Sequence, residues 1–166
     1  MTLSHFERHG SFAIGDIDAV FFLEIDGALS PADIDAMAPM ADTLRETFAK
    51  NCTITMIHRV PMPDGPTRER AAWLSNRNVA GTTSIVVFMD TGFWATAARS
   101  VLTGIYMLSG RQQEHRVCAT LDEAIVAAAA AVQMPVERLR VAVDAFRARA
   151  AHRLPAPAST PSTEPH

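Results

Sequence analysis

The stretch at residues 82–110 constrains the fold most, because it joins two different apolar periodicities. Its first part, residues 84–89, is a short apolar run rich in β-branched residues, which is typical of a strand buried on both faces of a parallel sheet. From Gly92 onward the apolar residues recur at helical spacing, and Gly110 stands where a helix commonly ends. The stretch therefore predicts a strand, a turn and a helix at the centre of an α/β domain.

Strands and helices alternate along the rest of the chain. Further strands are predicted at residues 12–14, 19–26, 53–58 and 115–119, and further helices at residues 31–50, 67–77, 120–132 and 135–151. Alternation of this kind favours a mainly parallel sheet with right-handed crossovers, and the first two strands predict an antiparallel hairpin. We therefore predict a mixed, mainly parallel sheet of about five strands, in the order β-β-α-β-α-β-α-β-α, with one extra C-terminal helix.

Two helix starts have clear capping signals. Ser30 can cap a helix in which Pro31 takes the first position, and Asp33 favours the positive end of the helix dipole. Thr120 and Glu123 have the spacing of a capping box, in which each side chain accepts a hydrogen bond from the backbone of the other. We therefore place the starts of two helices at these residues.

The chain of 166 residues has the length of one domain. Residues 1–10 are polar and are expected to be a flexible N-terminus. The domain is predicted at residues 11–152, with a core at 11–132 and the extra helix at 135–151. The tail at residues 153–166 is rich in Pro, Ser and Thr and is expected to be disordered.

Composition excludes several classes of protein. The net charge of −3 gives no general attraction to nucleic acid. We find no apolar run of about 18 residues that could span a membrane and no signal-peptide pattern, so we expect a cytoplasmic protein without integral membrane association. Cys52 and Cys118 fall in or near predicted strands, where we expect buried free thiols, with a disulfide between them as the alternative.

Four local features together suggest a family. They are an acid-ended strand at residues 24–27 (EIDG), a helix opened by Ser30 and Pro31, the strand–turn–helix at residues 85–108, and a last strand followed by a capping box and an Ala-rich helix. In this order they resemble the STAS domain of anti-sigma factor antagonists and sulfate-transporter tails, and more narrowly the STAS-like bacterial proteins. The resemblance covers about residues 11–132. It implies a STAS-like fold and a non-enzymatic module that binds a protein partner, in regulation or signalling.

The resemblance also implies a partner or regulatory surface. In the antagonists an Asp-Ser pair in the loop after the third strand opens a helix, and a partner kinase phosphorylates the serine. Here Asp64 matches the aspartate, Gly65 falls on the serine position, and Thr67 is the nearest hydroxyl and the expected helix cap. A phosphate on Thr67 would meet the helix dipole together with Arg68 and Arg70. The candidate surface therefore includes these five residues.

Asp90 and Thr91 complete this candidate surface. They follow the central strand at its carboxyl end, where open α/β sheets bind ligands, and free N–H groups at the following helix start can hold an anion. The chain has neither a G-x-G-x-x-G nor a Walker motif. A nucleotide site is therefore not predicted, and an ordinary N-cap turn is the simpler interpretation.

The sequence predicts no catalytic or metal-binding set. It contains no G-x-S-x-G motif, and no histidine pairs with another His or Cys at metal-ligand spacing. Glu24 and Asp26 share one face of a strand and could share a proton, but we expect solvated acids there. His58, at a strand end, is expected to be a surface or rim residue rather than a base. We therefore expect no enzyme, no metal and no cofactor.

Two alternatives stay open. The aromatic residues Trp73, Phe93, Trp94 and Tyr106 could line an apolar pocket, which would make the protein a binder of a small apolar ligand or a lipid, although such residues at helical spacing usually belong to a core. The first helix is acidic and the last is rich in arginine. Complementary charge on the two helices therefore suggests a homo-oligomer as a hypothesis.

Overall fold

The computed structural model describes residues 3–58, 61, 63–76, 81–90 and 114–151. Their strands are β1 (His5–Arg8), β2 (Phe12–Ile17), β3 (Val20–Ile25), β4 (Asn51–Ile57), β5 (Thr82–Phe88) and β6 (Glu114–Cys118). Their helices are α1 (Pro31–Thr47), α2 (Gly65–Asn76), α3 (Leu121–Val132) and α4 (Val136–Ala151). The described residues therefore contain six strands and four helices.

The strands form one sheet in which neighbours in space are also neighbours in sequence, from β1 to β6. β1, β2 and β3 pair antiparallel, and β3 to β6 pair parallel. The prediction of a mixed, mainly parallel α/β sheet that opens with an antiparallel hairpin is confirmed. The sheet has six strands rather than about five, and the short β6 lies at its edge.

Helices lie on both faces of the sheet and create two cores. α3 and α4 cover one face, where the larger core includes Phe22 and Phe146. α1 covers the other face, where the smaller core includes Phe21 and Ile34, with Leu74 of α2 packed against it. Consecutive residues of β3 therefore enter different cores, which explains its nearly continuous apolar run in the sequence.

The last helix packs on the sheet of its own chain. A Cβ added to Gly15 of β2 would lie 3.0 Å from Cδ2 of Phe146, so the absence of a side chain here favours the close approach of α4 to the sheet. The Phe146 ring lies 5.3 Å from that of Phe22 and 5.7 Å from that of Phe6, centroid to centroid. The apolar side of α4 is therefore buried within the chain.

Both predicted helix starts are confirmed. Ser30 Oγ accepts from the backbone N–H of Asp33 at 3.3 Å, and Asp33 Oδ2 accepts from the backbone N–H of Ser30 at 2.7 Å. At α3, Thr120 Oγ1 accepts from the N–H of Glu123 at 3.2 Å. Glu123 Oε2 accepts in turn from the N–H of Ala119 at 2.8 Å, one residue before the cap. These bonds satisfy N–H groups that a helix start would otherwise leave unpaired.

β1 lies within the segment 1–10 that we expected to be flexible, and this expectation is wrong for residues 5–8. β1 pairs with β2 along its whole length, and Phe6 packs against the larger core. Phe6 is the one apolar residue of the four, so the segment has almost no strand pattern of its own. The strand therefore depends on its pairing with β2 and on the burial of Phe6.

Some predicted features lie outside the described residues. They are the helix from Gly92 to Gly110, the residue Thr91, the aromatic residues Phe93, Trp94 and Tyr106, and the tail at 153–166. Among the helices that are described, none is both long and apolar enough to cross a membrane.

The two cysteines are buried free thiols, as the sequence predicts. Cys52 is in β4 and Cys118 in β6, with β5 between them. Burial raises the pKa of Cys52 to about 12, and burial also raises the pKa of Cys118. Because the thiolate is the reactive form, both thiols are protected in the folded protein.

We predict that neither Cys52 nor Cys118 reacts with a disulfide reagent such as DTNB at mildly alkaline pH while the protein is folded. Both should react within seconds in denaturant, since unfolding restores ordinary thiols. The measurement is the release of thionitrobenzoate before and after addition of guanidinium chloride, without reductant. Rapid reaction of either thiol in the native protein would contradict the burial, and a lack of reaction after unfolding would indicate a disulfide.

Candidate functional site

Four charged or titratable side chains lie at the end of the sheet where β3 and β4 finish, which is the edge where open α/β sheets bind ligands. Glu24 is in β3 and Asp26 follows it, His58 follows β4, and Arg8 ends β1. Two ion pairs join them, Arg8 with Asp26 and His58 with Glu24. We call these four residues the carboxyl-edge cluster.

The carboxyl-edge cluster lies on the sheet face that α3 and α4 cover. Arg8, Ala13 and Glu24 are in register across β1, β2 and β3, and Ala13 belongs to the larger core. Asp26 is two residues beyond Glu24, so its side chain points to the same face. Because Ala13 is small, the long side chain of Arg8 has room to cross β2 and reach β3.

Glu24 and His58 form a close pair in which only one carboxylate oxygen is used. Glu24 is 8% exposed, and His58 Nε2 lies 2.6 Å from Glu24 Oε1. A carboxylate only accepts hydrogen bonds, so Nε2 carries a proton and donates it to Glu24. The His58 side chain is 32% exposed, so the ring reaches solvent. Glu24 Oε2 is buried and has no hydrogen-bond partner within the described part of the chain.

Arg8 and Asp26 form the second pair, in which only one of the two terminal guanidinium nitrogens donates a hydrogen bond. Arg8 donates through Nη2 to Asp26 Oδ2, and the Arg8 side chain is 11% exposed. Arg8 Nη1 is buried, and the residues that the structure describes offer it no acceptor. The cluster thus holds one buried acceptor and one buried donor that nothing in the described structure satisfies.

The expectation that Glu24 and Asp26 are solvated acids is wrong, because Glu24 is buried and Asp26 is half-buried in an ion pair. His58 lies at the rim of the sheet, in agreement with the expectation of a surface or rim residue. β3 and β4 pair so that the His58 backbone N–H donates to the Ile25 carbonyl oxygen at 2.9 Å, which brings the imidazole beside Glu24. The signal in the sequence is an acid near the end of one apolar strand and a histidine at the end of the next. Carboxyl ends of neighbouring parallel strands lie side by side, so these residues meet.

The chemistry available at the carboxyl-edge cluster is hydrogen bonding and proton exchange. Within the described ranges, no three His, Cys, Asp or Glu side chains are placed to hold a metal ion. The histidine, held by a buried carboxylate, presents an imidazole of fixed orientation. The cluster can therefore bind and orient a polar group.

Asp64, rather than Thr67, caps α2. Asp64 Oδ1 accepts from the Thr67 backbone N–H at 2.9 Å, and the helix begins at Gly65. The Thr67 hydroxyl lies between the Asp64 carboxylate and the Leu29 carbonyl oxygen, the latter at 3.5 Å. Hydrogen bonds from the Thr67 hydroxyl and then from its N–H hold the pKa of Asp64 below its usual value. Thr67 is 1% exposed, so a kinase reaches its hydroxyl only after local opening.

The two arginines of the candidate surface have different surroundings. Arg68 Nη1 donates to the Pro63 carbonyl oxygen at 3.3 Å. Arg70 Nε donates to Asp35 Oδ1 of α1 at 2.5 Å, and the Arg70 guanidinium lies 3.7 Å from the centre of the Trp73 ring. Trp73 is 37% exposed. We call Asp35, Arg70 and Trp73 the Arg70–Trp73 patch.

Asp90 lies at the same edge of the sheet but on the opposite face from the carboxyl-edge cluster. Val87 and Met89 contact the larger core, so strand alternation directs Asp90 to the face that α1 covers. Asp90 Oδ2 is buried without a hydrogen-bond partner among the described residues. Thr91, predicted beside it, lies outside those residues.

The charges of α1 and α4 are largely paired within the chain. The pairs are Asp35 with Arg70, Asp42 with Arg45, Arg138 with Asp18, and Arg140 with Asp122. α1 and α4 also lie on opposite faces of the sheet. These pairs reduce the charge that each helix offers to a second copy, and self-association by complementary charge stays a prediction.

We predict that His58→Leu lowers the free energy of unfolding by about 3 kcal/mol or more, because Glu24 would be left buried without its partner. The double variant with Glu24→Leu should recover most of this loss, since it removes the buried charge as well. Urea unfolding followed by circular dichroism gives both values. His5→Leu is the control, because the His5–Glu7 pair is exposed and contributes about 1 kcal/mol at most. A double variant as unstable as the single one would contradict the pairing.

We predict that Thr67→Glu destabilises the fold by about 3 kcal/mol or more, because it forces a charge into a buried position beside a carbonyl oxygen. Thr67→Val keeps the shape and loses only the hydroxyl, so its cost should be about 1 kcal/mol. Both are measured by chemical denaturation. Equal stability of Thr67→Glu and the wild type would mean that the position is open to solvent and to a kinase.

The chain matches no protein-family model, no curated protein and no solved structure. Its function is therefore inferred from the fold and from the geometry of the described residues.

Proposed function

We propose that this chain is a non-enzymatic, STAS-like module that binds a protein partner, in regulation or signalling, through the surface that α1 and α2 form together. The observation that carries the proposal is the Arg70–Trp73 patch, an exposed tryptophan beneath an arginine that a carboxylate holds in place. The alternation of strands and helices and the capped helix starts are compatible with the STAS resemblance. The candidate residues Asp64 and Arg68, which are exposed, and Arg70, which is half-buried, belong to this same surface.

The Arg70–Trp73 patch has the properties of a binding hot spot. Tryptophan and arginine are the residues most enriched among those that dominate interface energies. Asp35 fixes the Arg70 side chain, so less side-chain entropy is lost when a partner binds. Arg70 over the Trp73 ring contributes about 0.5–1 kcal/mol at an exposed site, which favours the stacked arrangement of these two side chains. The side chains of the patch are therefore preorganised for binding a partner.

Binding at this surface does not need a phosphate on α2. Gly65 stands at the position of the modified serine, and Thr67 is buried under Leu29. The proposed module therefore differs from the antagonists in how it is regulated, since a partner would recognise side chains that are already exposed.

The alternative of a small apolar ligand has less support among the described residues. The cleft between α1 and the β1–β2 hairpin has a volume of about 500 Å³. Ile14 and Met40 give it an apolar part, but Glu7 and Asp16 line it as well. The clefts of apolar-ligand sites are usually enclosed and carry few polar groups. Partner binding is therefore the better supported of the two candidate functions.

We predict that Trp73→Ala weakens binding of the natural partner by about 2 kcal/mol, roughly thirtyfold in Kd, as at an interface hot spot. Arg70→Lys should weaken binding less, because lysine keeps the charge opposite Asp35 but does not stack on the ring. The matched control is Val141→Ala, which trims another exposed apolar residue on the opposite face.

The experiment is affinity capture from the protein's own cells with each variant as bait, followed by titration of the captured protein against purified variants. Capture by the wild type and Val141→Ala, with loss by Trp73→Ala, supports the proposed surface. Equal capture and equal Kd for all the variants would contradict it. Thermal unfolding of each variant ensures that lost binding is not lost folding.

A further inference from the structure

We propose that a cleft at the amino ends of β3 and β4 binds the carboxylate group of a small organic anion that has an apolar body. The cleft has a volume of about 410 Å³, and it is lined by the β2–β3 turn, the end of α1 and the connection between α3 and α4. Ala19 and Lys50, which immediately precede β3 and β4, both border it. Small-molecule sites usually measure about 300–1,000 Å³. We call this space the amino-edge cleft.

The charged side chains of the amino-edge cleft favour an anion. Lys50, Arg138 and Asp18 line it. Lys50 is the only lysine of the chain, is exposed, and takes part in no ion pair with the described residues. Arg138 Nη2 lies 2.7 Å from Asp18 Oδ2, so the charge of Arg138 is balanced and that of Lys50 is not. A ligand with a single negative charge would balance it.

The sign of this charge does not depend on a histidine. The described residues that line the cleft include no imidazole, and carboxylates, lysine and arginine all keep their charge near neutral pH. The Lys50 ammonium has three N–H donors, and the guanidinium of Arg138 has others besides the one that Asp18 accepts. A carboxylate can therefore accept hydrogen bonds from both side chains.

Apolar side chains form another part of the wall and indicate the body of the ligand. Phe48 at the end of α1, and Val132 and Met134 near the end of α3, border the cleft and are each half-buried. Phe48 packs against the smaller core, and the other two pack against the larger core. A ligand with a ring or an alkyl chain would cover the apolar surface that they leave in water, which is favourable.

The walls of the amino-edge cleft are held in place by contacts within the chain. The Asp18–Arg138 pair joins the β2–β3 turn to the first turn of α4, and the Met134 N–H donates to the Ala129 carbonyl oxygen at 2.9 Å. Asp18 and Gln133 are the two described non-glycine residues with a left-handed backbone, with φ of 49° and 56°, and both line the cleft. Such residues are concentrated at functional sites, and fixed walls reduce the entropy lost on binding.

This inference goes beyond the proposed partner binding and does not rest on it. Asp35 of the Arg70–Trp73 patch lies near the start of α1, whereas the cleft meets the other end of the helix at Thr47. The two positions are about 18 Å apart along α1, at about 1.5 Å per residue. Substitutions at one surface should therefore leave the other intact.

Three probes that share a benzene ring test the proposal on the unmodified protein at pH 7 and low ionic strength. Benzoate has both the charge and the apolar body, benzamide has the same shape without the charge, and benzylammonium has the opposite charge. The readout is the shift of the backbone amide resonances of Ala49, Lys50 and Gln133 in heteronuclear NMR. We expect a saturable shift with benzoate at a roughly millimolar Kd. Benzamide should bind about fivefold more weakly or worse, and benzylammonium should give no saturable shift.

Substitution then identifies the residues. Lys50→Gln should raise the Kd for benzoate about fivefold, because it removes the unbalanced charge, and Lys50→Arg should restore binding. Arg116→Gln removes a positive charge from the exposed surface of β6, outside the cleft, and should bind benzoate like the wild type. Asp18→Asn keeps a residue type that tolerates a left-handed backbone and removes the carboxylate, so benzoate should bind about twofold more tightly or better. Thermal unfolding checks that each variant is folded.

The proposal is overturned by a shift that grows without saturation, by equal Kd values for benzoate and benzamide, or by unchanged binding in Lys50→Gln. Weaker binding in the folded Asp18→Asn variant would contradict the charge argument as well. Any of these results would make Lys50 an ordinary solvated side chain. Trp73→Ala should bind benzoate like the wild type, so failure of this proposal and failure of the partner surface are distinguishable.

Discussion

The parallel pairing of β3 with β4 is the constraint on which the rest of this structure depends. Alternate residues of both strands enter the larger core under α3 and α4, and the intervening residue Phe21 of β3 enters the smaller core under α1. The same register brings the two carboxyl ends together, so that Glu24 and His58 meet. A shift by one residue would exchange the two cores and separate this pair.

The carboxyl-edge cluster lowers the stability of a fold of this size, and this loss of stability argues for a functional role. Replacing buried ion pairs by apolar residues is often neutral or stabilising, so such pairs are poor evidence of a purely structural role. Here each pair leaves one buried polar atom unsatisfied, which makes the arrangement less stable than a fully satisfied network. Ala13 adds to this loss of stability, because the position must stay small. A larger residue there would block the path that Arg8 takes to Asp26.

Most of the fold can be predicted from the sequence, and the exceptions have physical reasons. The helix starts at Ser30 and Thr120 and the apolar runs of β3 and β5 are local signals, and local signals suffice for them. β1 has only Phe6 to indicate a strand, because its stability comes from pairing with β2. Thr67 resembles a cap in sequence, yet Asp64 accepts the capping bond. The Glu24–His58 contact joins residues far apart in the sequence and depends on strand register, which no local pattern contains.

The two ends of α2 have opposite roles, and this determines how its surface can be controlled. At the first turn Thr67 is buried and its N–H is bonded to Asp64, so this end anchors the helix. Two turns later Trp73 is exposed under Arg70, so this end is available to the proposed partner. If a charge were added to Thr67, its side chain would have to move from the protein interior into solvent. The first turn of α2 would then lose its packing and its bond to Asp64. Any modification there would therefore act against presentation of Trp73 by detaching the helix, whereas in the antagonist-type switch the modified residue is itself part of the docking surface.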